Sequence, residues 1–295
     1  MDPTLKSKII SQLKEDFPNY PPRIQRVAKY ILDNQSDFGL DPVRVTAAKA
    51  DVSTYTLVRA AKSLGFHGFD DLRAPFRHAL VATTAYEERP EWLETQQSEG
   101  ILGPIQAQSA LNTLSIVQHS LQRLDPKEVE RAVETMLEAR NVYITAVRAS
   151  YSLAYYFHYV GRMALPSLQL IPRHMNSALD ELTLAGPRDV MIAITISPYS
   201  RETIEACKFA QSRGVKLIFL TDSDLISPDL NPEHVFSAST VSTHHFACFT
   251  GLMGISESLL AALVSMGGAP ARARIKSYEE LRAANSAYWV RQKKR

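Results

Sequence analysis

Hydrophobic positions in the first eighty residues follow the three-to-four-residue spacing of amphipathic helices. The spacing is interrupted at residues 19–22, where Pro21 and Pro22 are well placed to open a second helix. A short third helix is predicted over residues 45–50, a fourth follows Ser53 and stops at Gly65, and a fifth covers about 70–81. The pattern predicts an all-helical domain over residues 1–82.

The next segment has a different pattern. Residues 84–103 are polar and weakly periodic, which is typical of a linker. A helix is predicted from about 105 to 124, because apolar residues return there at heptad-like spacing: Ala107, Leu111, Leu114, Val117 and Leu121. This stripe packs either on its own domain or on a second copy of the chain, and both interpretations stay open. We expect a linker and connector helix over residues 83–124.

From residue 125 onward, short apolar segments alternate with helical ones. Strands are predicted at 141–147, 168–171, 189–196, 216–221 and, more weakly, 234–237, with helices at about 126–137, 150–163, 176–184, 201–213 and 246–264. Near-continuous apolar strands joined by helices predict a parallel sheet covered on both faces. The predicted fold class is α/β: the all-helical N-terminal domain is followed by a doubly wound, flavodoxin-like parallel sheet of about five strands over residues 125–275. A C-terminal helix and basic tail are expected over residues 276–295.

Composition limits the classes of protein to consider. The 295 residues are 45% hydrophobic and 22% charged, as in folded globular proteins. No apolar run approaches the roughly 18 residues of a membrane span, and the first residues turn polar at once, unlike a signal peptide. Cys207 and Cys248 are too few for a disulfide framework or a four-cysteine zinc site. We therefore expect a cytoplasmic protein with no membrane partner, no metal and no cofactor. The formal net charge of +2 leaves room for a small basic face within one domain.

Residues 45–64 satisfy the needs of a helix-turn-helix. Small side chains (Ala47, Ala48, Ala50) permit close packing, Val52 fills the turn, and Ser53 caps the second helix. The spacing leaves Thr54, Tyr55, Arg59 and Lys62 facing outward, where they suit base edges and phosphates. A generic helical hairpin explains the spacing equally well. Asp51 occupies the turn position where glycine is often found, and aspartate tolerates the left-handed conformation better than most residues.

A longer pattern favours the DNA-binding interpretation. Val52-Ser53, Thr56-Leu57-Val58-Arg59 and Leu64-Gly65-Phe66-His67-Gly68-Phe69 together resemble the N-terminal domain of the RpiR/MurR-like bacterial transcription regulators. The resemblance implies binding of operator DNA, with the helix over residues 54–64 in the major groove. The predicted DNA contacts are Arg44, Ser53, Thr54, Tyr55, Thr56, Arg59 and Lys62, and the candidates for phosphate contacts are Arg23, Arg26, Lys29, Arg44, Lys49, Arg59, Lys62, Arg73 and Arg77.

Two loops of the predicted sheet are the candidate ligand site. In a doubly wound sheet, ligands bind outside the carboxyl ends of the strands where the strand order reverses. The loops at residues 147–152 and 197–203 both place hydroxyls directly before a helix N-terminus, which favours an anion. Helix capping alone also explains any single serine. The predicted effector-binding residues are Arg148, Ser150, Ser152, Ser197, Tyr199, Ser200, Arg201 and Thr203.

The same region resembles the SIS (sugar isomerase) phosphosugar-binding domain that RpiR/MurR-like regulators carry. The second loop of that family is Ser-x-Ser-Gly-x-Thr-x-[Glu/Thr]; here residues 197–203 keep hydroxyls but have Tyr199-Ser200 in place of the serine–glycine step. The first loop, Gly-x-Gly-x-Ser, has become Ala146-Val147-Arg148-Ala149-Ser150 and has lost both glycines. The resemblance implies a small anionic effector, with a sugar phosphate as the family default.

Two alternatives to a ligand-sensing regulator remain. A SIS-fold sugar-phosphate isomerase needs a general base and a ring-opening histidine, and none of the candidates His174, Asp180, Glu181, Glu205, His244, His245 and Glu257 lies in a diagnostic motif. A module whose pocket has lapsed, leaving dimerisation and DNA binding, fits the lost glycines. We favour a non-enzymatic regulator of catabolic genes, acting as a homodimer or homotetramer on operator DNA.

Overall fold

The structure is a computed structural model that describes residues 5–84, 91–173, 177–244 and 246–289. The chain divides into two compact units, one formed by Met1–Ala107 with Ser223–Pro228 and the other by Gln108–Asp222 with Asp229–Arg295. The first unit is helical and the second is built around a parallel sheet. The α/β fold class predicted from the sequence is confirmed.

The helical unit contains more helices than the pattern predicted. Its elements are α1 (Leu5–Glu15), a 3₁₀ turn (Phe17–Asn19), α2 (Pro22–Asp33), α3 (Gln35–Leu40), α4 (Val43–Lys49), α5 (Thr54–Ser63) and α6 (Phe69–Thr84). The sequence analysis missed α3, because six residues that include Gly39 show no measurable helical period. Phe38 on α3 is fully buried and meets Phe76 of α6 edge to face at 5.0 Å between ring centres. The short helix therefore supplies the centre of this core.

Part of the predicted linker is helical. Residues 91–97 form α7 (Glu91–Gln97), which corrects the expectation of an irregular segment, while residues 85–90 lie outside the described ranges. The predicted connector helix is α8 (Gly103–Gln122). Its buried side chains are Ala107, Ile116 and Ser120, whereas Leu114 and Leu121 of the predicted stripe stay 45% and 41% exposed. The predicted stripe is therefore covered in part, with Ala107 buried and Leu111 and Val117 half-buried.

The second unit has the predicted strand order. Its strands are β1 (Val142–Thr145), β2 (Leu168–Ile171), β3 (Val190–Ile194), β4 (Lys216–Thr221) and β5 (His234–Ser237). They form one parallel sheet in the order β2-β1-β3-β4-β5, with Val142 opposite both Leu168 and Val190. This is the flavodoxin-like order, whose reversal lies between β1 and β3.

Helices cover the sheet and fix the loops. They are α9 (Pro126–Glu138), α10 (Tyr151–Ala164), α11 (Ala178–Glu181), α12 (Arg201–Ser212), α13 (Thr250–Met266) and α14 (Gly268–Ala284). The prediction for residues 176–184 was too long, since only four residues are α-helical there. The C-terminal helix begins at Gly268, earlier than the expected residue 276. The predicted cap and stop residues are confirmed: Asp125 accepts from the Lys127 N–H, and Gly214 has φ of +77° after α12.

No single helix in the described ranges is long and apolar enough to cross a bilayer. By length and composition alone, α13 and α14 would pass that criterion as a pair, although the chain bends by 107° between them. Within the second unit, α13 belongs to the hydrophobic core, since Leu252, Ile255, Leu259 and Leu263 are at most 1% exposed.

Candidate functional site

The turn between α4 and α5 has helix-turn-helix geometry. Asp51 lies in the left-handed region at φ of +53°, the conformation for which glycine is usually selected, so the expectation that aspartate can serve there is confirmed. The Arg26 side chain donates to the Asp51 carboxylate (2.7 Å) and to the Asp51 carbonyl oxygen (3.2 Å). Arg26 is therefore engaged in holding this turn.

Helix α5 presents a polar outer face. Ser53 caps it by accepting a hydrogen bond from the Thr56 N–H at 3.2 Å, while Leu57, Ala60 and Ala61 are buried on its inner side. The side chains predicted to face outward are exposed, with Tyr55 70% accessible. They are Thr54, Tyr55, Arg59 and Lys62.

Thr56 corrects the predicted set of contacts. It is only 6% exposed, and its hydroxyl lies 2.9 Å from that of Ser53. A side chain held in the cap and turned to the core cannot reach a base edge. Thr56 therefore supports the start of α5. Ser53 is exposed, but its hydroxyl oxygen accepts the hydrogen bond of the same cap.

The basic side chains of the helical unit fall into two groups. Several are paired with carboxylates: Arg26 with Asp51, Lys29 with Asp33, Lys49 with Asp37 and Asp41, and Arg73 with Asp70. Hydrogen bonds to Asp37 and Asp41 raise the pKa of Lys49. Within the part of the chain that the structure describes, the exposed Arg23, Arg44, Arg59 and Lys62 form no ion pair. These four are free to meet phosphates.

An open cleft of about 370 Å³ lies beside the start of α5. Arg23 and Arg26 line one part of it, and the remaining lining comes from the two helices and their turn: Ala47, Ala48, Asp51, Val52, Ser53 and Thr56. The exposed Ala48 forms part of this surface and does not pack in the interior, in contrast to Ala47 and Ala50. The cleft combines arginine side chains with a helix N-terminus, which suits an anion.

The first loop of the sheet keeps a glycine-like backbone without glycine. It leaves β1, one of the two strands at the reversal of strand order, and forms a 3₁₀ turn over Arg148–Ser150 before α10. Arg148 has φ of +55°, in the left-handed region where the SIS motif has its second glycine. Ser150 is 7% exposed, whereas the Arg148 side chain is 70% exposed.

The second loop leaves β3 and starts α12. Ser200 caps the helix by accepting from the Thr203 N–H at 3.4 Å, and its hydroxyl donates to the Glu202 carboxylate at 2.6 Å. The same carboxylate oxygen lies 3.5 Å from the Arg148 guanidinium, so an ion pair joins the two loops. The hydrogen bond from Ser200, together with the charge of Arg148, holds the pKa of Glu202 below its usual value.

Thr203 carries a polar atom without a partner. Its side chain is 2% exposed, and its hydroxyl makes no hydrogen bond within the described ranges. Buried hydroxyls are almost always hydrogen-bonded, so an orphan in the first turn of α12 is a group that a ligand can satisfy.

The remaining predicted effector residues have mixed positions. Ser152 donates to the Ala149 carbonyl oxygen at 2.8 Å, and the exposed Arg201 pairs with Glu205 one turn along α12 at 2.7 Å. The Ser197 N–H donates to the Asp222 carboxylate at 3.0 Å, and Tyr199 is half-buried. The structure thus brings Arg148 and Ser200 together, while Ser152 and Arg201 are bonded elsewhere.

Glu202 and Asp222 contact the candidate loops, and the sequence analysis missed both. The signal for Glu202 was present, since the last position of the SIS motif is glutamate or threonine. Placed on residues 195–202, two positions earlier than assumed above, the motif has hydroxyls at Thr195, Ser197 and Ser200 and its acid at Glu202, with Pro198 in place of glycine. The structure supports this register through the bond between Ser200 and Glu202.

The acids considered for catalysis have structural partners. The Glu181 side chain is 6% exposed and pairs with Arg173, and Glu257 accepts from the Tyr156 hydroxyl. Asp180 accepts from the Ser177 N–H in a capping box. His174 and His245 lie outside the described residues. Among the side chains that are described, no three His, Cys, Asp or Glu residues cluster as metal ligands.

Comparisons with known proteins agree with this geometry. The model of the helix-turn-helix domain of the rpiR family matches residues 7–82, and the SIS domain model matches residues 135–265. The HTH-type transcriptional regulator YbbH of Bacillus subtilis, described as uncharacterized, is 28% identical over 214 residues, which cover 72% of each chain. The bifunctional protein glk of Paraburkholderia xenovorans is 26% identical over 220 residues, or 74% of this chain. The chain spans about a third (33%) of the length of that relative.

Two solved structures share the fold. The sugar isomerase domain of an RpiR transcription factor from Sphaerobacter thermophilus aligns with a TM-score of 0.56 and 24% identity, over 61% of this chain and 99% of that one. The NanR protein of Vibrio vulnificus, complexed with ManNAc-6P, aligns with a TM-score of 0.55 and 19% identity, over 94% and 98% of the two chains. With both domain models matched in order, and with the turn and sheet geometry described above, the chain belongs to the RpiR family of helix-turn-helix transcriptional regulators that carry a SIS domain.

Proposed function

We propose that this regulator binds operator DNA through α5 and senses a small anionic metabolite, a sugar phosphate by class, through the two loops at the carboxyl ends of β1 and β3. The main support for the effector site is the Thr203 hydroxyl, which has no hydrogen-bond partner within the described ranges and therefore suits a polar ligand. In the same two loops, Glu202 contacts both the Arg148 guanidinium and the Ser200 hydroxyl. The regulated genes belong to carbohydrate catabolism in this proposal.

The DNA contacts divide by chemistry. Helix α5 enters the major groove, where Thr54, Tyr55 and Arg59 reach base edges. Arg23, Arg44 and Lys62, which are exposed and unpaired within the described ranges, meet phosphates. Thr56 leaves this list, and it contributes through the cap of α5. The paired Arg26 and Lys49 stabilise the domain.

Selection from random DNA gives the operator, and a substitution then tests the recognition helix. Loss of one bidentate base contact costs about 1–3 kcal/mol, so Arg59→Ala is expected to weaken binding of the selected site by about 5- to 150-fold. Lys276→Ala is the matched control, since it removes the same charge from an exposed position on α14 in the other unit. Equal affinity of the Arg59 variant and the control would remove α5 from the recognition role.

The effector class follows from the loop chemistry. Two neighbouring helix N-termini, a serine hydroxyl and an arginine favour an anion over a neutral sugar. The relationship to NanR, whose solved structure contains ManNAc-6P, supports a sugar phosphate. The site is ligand-binding in this proposal, in contrast to a pocket that has lapsed.

Thr203→Val provides a sharp test of the site. It replaces a hydroxyl that has no protein partner by a methyl group of the same shape, so the fold is expected to keep its stability. A thermal-shift and calorimetric screen of phosphorylated sugars against their unphosphorylated parents is expected to yield a ligand whose affinity falls in this variant. Thr183→Val, on an exposed threonine after α11, is the control. A screen without any ligand would favour the lapsed pocket.

The same screen decides between regulator and isomerase. We propose that the chain is not an enzyme, since the acids of the sheet unit that we considered as bases are held by Arg173, Tyr156 and the α11 cap. Conversion of a sugar phosphate to its isomer by the purified protein would refute that proposal. No cofactor or metal takes part in this mechanism.

Assembly completes the mechanism. We expect a cytoplasmic homodimer or homotetramer that places two or more recognition helices on a repeated or palindromic site. Effector binding shifts the arrangement of the SIS domains and thereby the spacing of the DNA-binding domains. Analytical ultracentrifugation with and without DNA measures the stoichiometry, and a purely monomeric complex would exclude this scheme.

A further inference from the structure

Arg148 stands where the SIS motif has glycine, and its backbone keeps the glycine-like conformation at φ of +55°. A β-carbon there prevents the close backbone approach that glycine permits. The loop instead carries the guanidinium group of Arg148, and this side chain is 70% exposed. This chain therefore carries an exposed cation at a position where the family motif has glycine.

The partner of that cation is an internal anion. One oxygen of Glu202 lies 3.5 Å from the Arg148 guanidinium and 2.6 Å from the Ser200 hydroxyl that donates to it. These are a cation and a hydroxyl that an anionic effector would use. The carboxylate is ionised at neutral pH, as an exposed glutamate ordinarily is, and the bond from Ser200 lowers the pKa of Glu202 further. Glu202 thus already binds the two groups, the Arg148 guanidinium and the Ser200 hydroxyl, that an anionic effector would bind.

The contact is weak enough to be displaced. The two side chains are 70% and 63% exposed, and exposed ion pairs contribute little because water and salt screen them. A phosphate monoester carries about −1.5 to −2 charges at neutral pH and three acceptor oxygens, against one charge on a carboxylate. Its geometry also matches the two-pronged donor face of arginine.

We propose that Arg148 and Ser200 exchange Glu202 for the anionic group of the effector, so that effector binding breaks the ion pair joining the two loops. The inference rests on the proposed effector site. An effector must then compete with the Glu202 carboxylate for these two groups, which favours binding of dianionic phosphate over binding of monoanions. Release of the pair frees the loops that start α10 and α12, which makes Arg148 the residue that couples ligand to conformation.

Three variants test the exchange with inorganic phosphate and glucose 6-phosphate as probes, and glucose as the uncharged control, by calorimetry at constant ionic strength. Glu202→Gln removes the competing charge and is expected to raise phosphate affinity about threefold to tenfold. Glu205→Gln is the matched control, since it removes the same charge one turn along α12 from a residue paired with Arg201. It is expected to change the affinity less than twofold. Glucose binding should be equal in all variants.

Arg148→Gly restores the residue of the family motif. Glycine suits φ of +55°, so this variant is expected to fold at least as stably as the parent while losing phosphate affinity severalfold. Phosphate binding that is equal in the Glu202, Glu205 and parent proteins, or unchanged in the Arg148 variant, would overturn the exchange while leaving a sugar-phosphate site intact. Failure of every variant, Glu202→Gln included, to bind any sugar phosphate would overturn the effector site itself.

Discussion

Gly251 lies where α13 packs against α8 and Ala238. A β-carbon built on it would lie 2.6 Å from the Ser120 hydroxyl oxygen, 2.8 Å from the Ala238 β-carbon and 2.8 Å from a methyl carbon of Ile116. Real β-carbons do not approach other atoms so closely. Ala238 has no rotamer with which to retreat, and its N–H is bonded to the Thr221 carbonyl oxygen at 3.0 Å. Gly251→Ala must therefore move α13 away from Ala238, and the Ser120 and Ile116 side chains of α8 must also give way.

The expected cost follows from two opposing effects. Replacing glycine by alanine within a helix contributes up to about 1 kcal/mol of stability, and overpacking a core costs about 1–3 kcal/mol. Gly254→Ala is a matched control on the same helix, because its β-carbon would meet Leu121 and Val117 at an ordinary 3.7 Å. We expect the Gly251 variant to be about 2 kcal/mol less stable than the Gly254 variant.

Differential scanning calorimetry measures this difference. For a unit of this size, about 2 kcal/mol corresponds to a gap of roughly 4–8 °C in Tm between the two variants. The transition of the α/β unit is the one to compare, because the substitutions lie within it. Equal Tm values for both variants would refute the claim that Gly251 is required for close packing of α8.

Three further outcomes are expected. Ser53→Ala removes the cap of the recognition helix and should lower the free energy of unfolding, measured in urea, by about 1 kcal/mol. An unchanged free energy of unfolding would show that the hydrogen bond from the Thr56 N–H does not stabilise the helix. Asp189 is fully buried; burial alone would raise its pKa, but hydrogen bonds led by Arg140 lower the pKa below its usual value. Its contribution to stability is therefore present above the unfolded pKa of about 4 and is lost as pH falls through the lower folded pKa. Asp189→Asn should cost about 3 kcal/mol at neutral pH and flatten the acid limb of the stability curve; an unchanged curve would contradict this. Burial raises the pKa of Cys207, so iodoacetamide and mass mapping should find Cys248 modified first in the native protein and Cys207 only after unfolding.

Local sequence patterns were sufficient to predict an element wherever its hydrophobic positions form a run or a period, or a capping or turn residue marks its end. The buried strands at residues 142–145 and 190–194 were visible as apolar runs, and the caps at Ser53 and Asp125 and the stops at Gly65 and Gly214 as single residues. Each depends on backbone chemistry within a few neighbouring positions. Six-residue α3 and the helix at 91–97 escaped because short helices are stabilised by packing more than by their own sequence.

Side-chain direction was the weaker part of the prediction. Thr56 and Ser53 were chosen as DNA contacts for their chemistry, yet both hydroxyls serve the cap of α5. Glu202 was given no role in the sequence analysis, because the SIS motif was placed two positions too late and because its ion-pair partner Arg148 lies on the other loop. The stripe on α8 is covered only in part: Ala107 is buried and Val117 and Leu121 lie beside Gly254, whereas Ile116 and Ser120, which were not predicted, are the buried residues beside Gly251.

The amino-acid sequence alone determined the family, the two-part architecture, the strand order of the sheet and the two loops in which a ligand binds in such folds. These follow from hydrophobic periodicity, turn residues and short motifs, which act over a few positions. The tertiary structure decided which of the candidate polar groups already have a protein partner: Arg26 pairs with Asp51 in the helical unit, and Arg148 pairs with Glu202 in the loops of the sheet. Only the folded chain could decide this, because an ion pair depends on a few ångströms between residues that lie far apart in sequence, whereas periodicity records only which face of an element is buried.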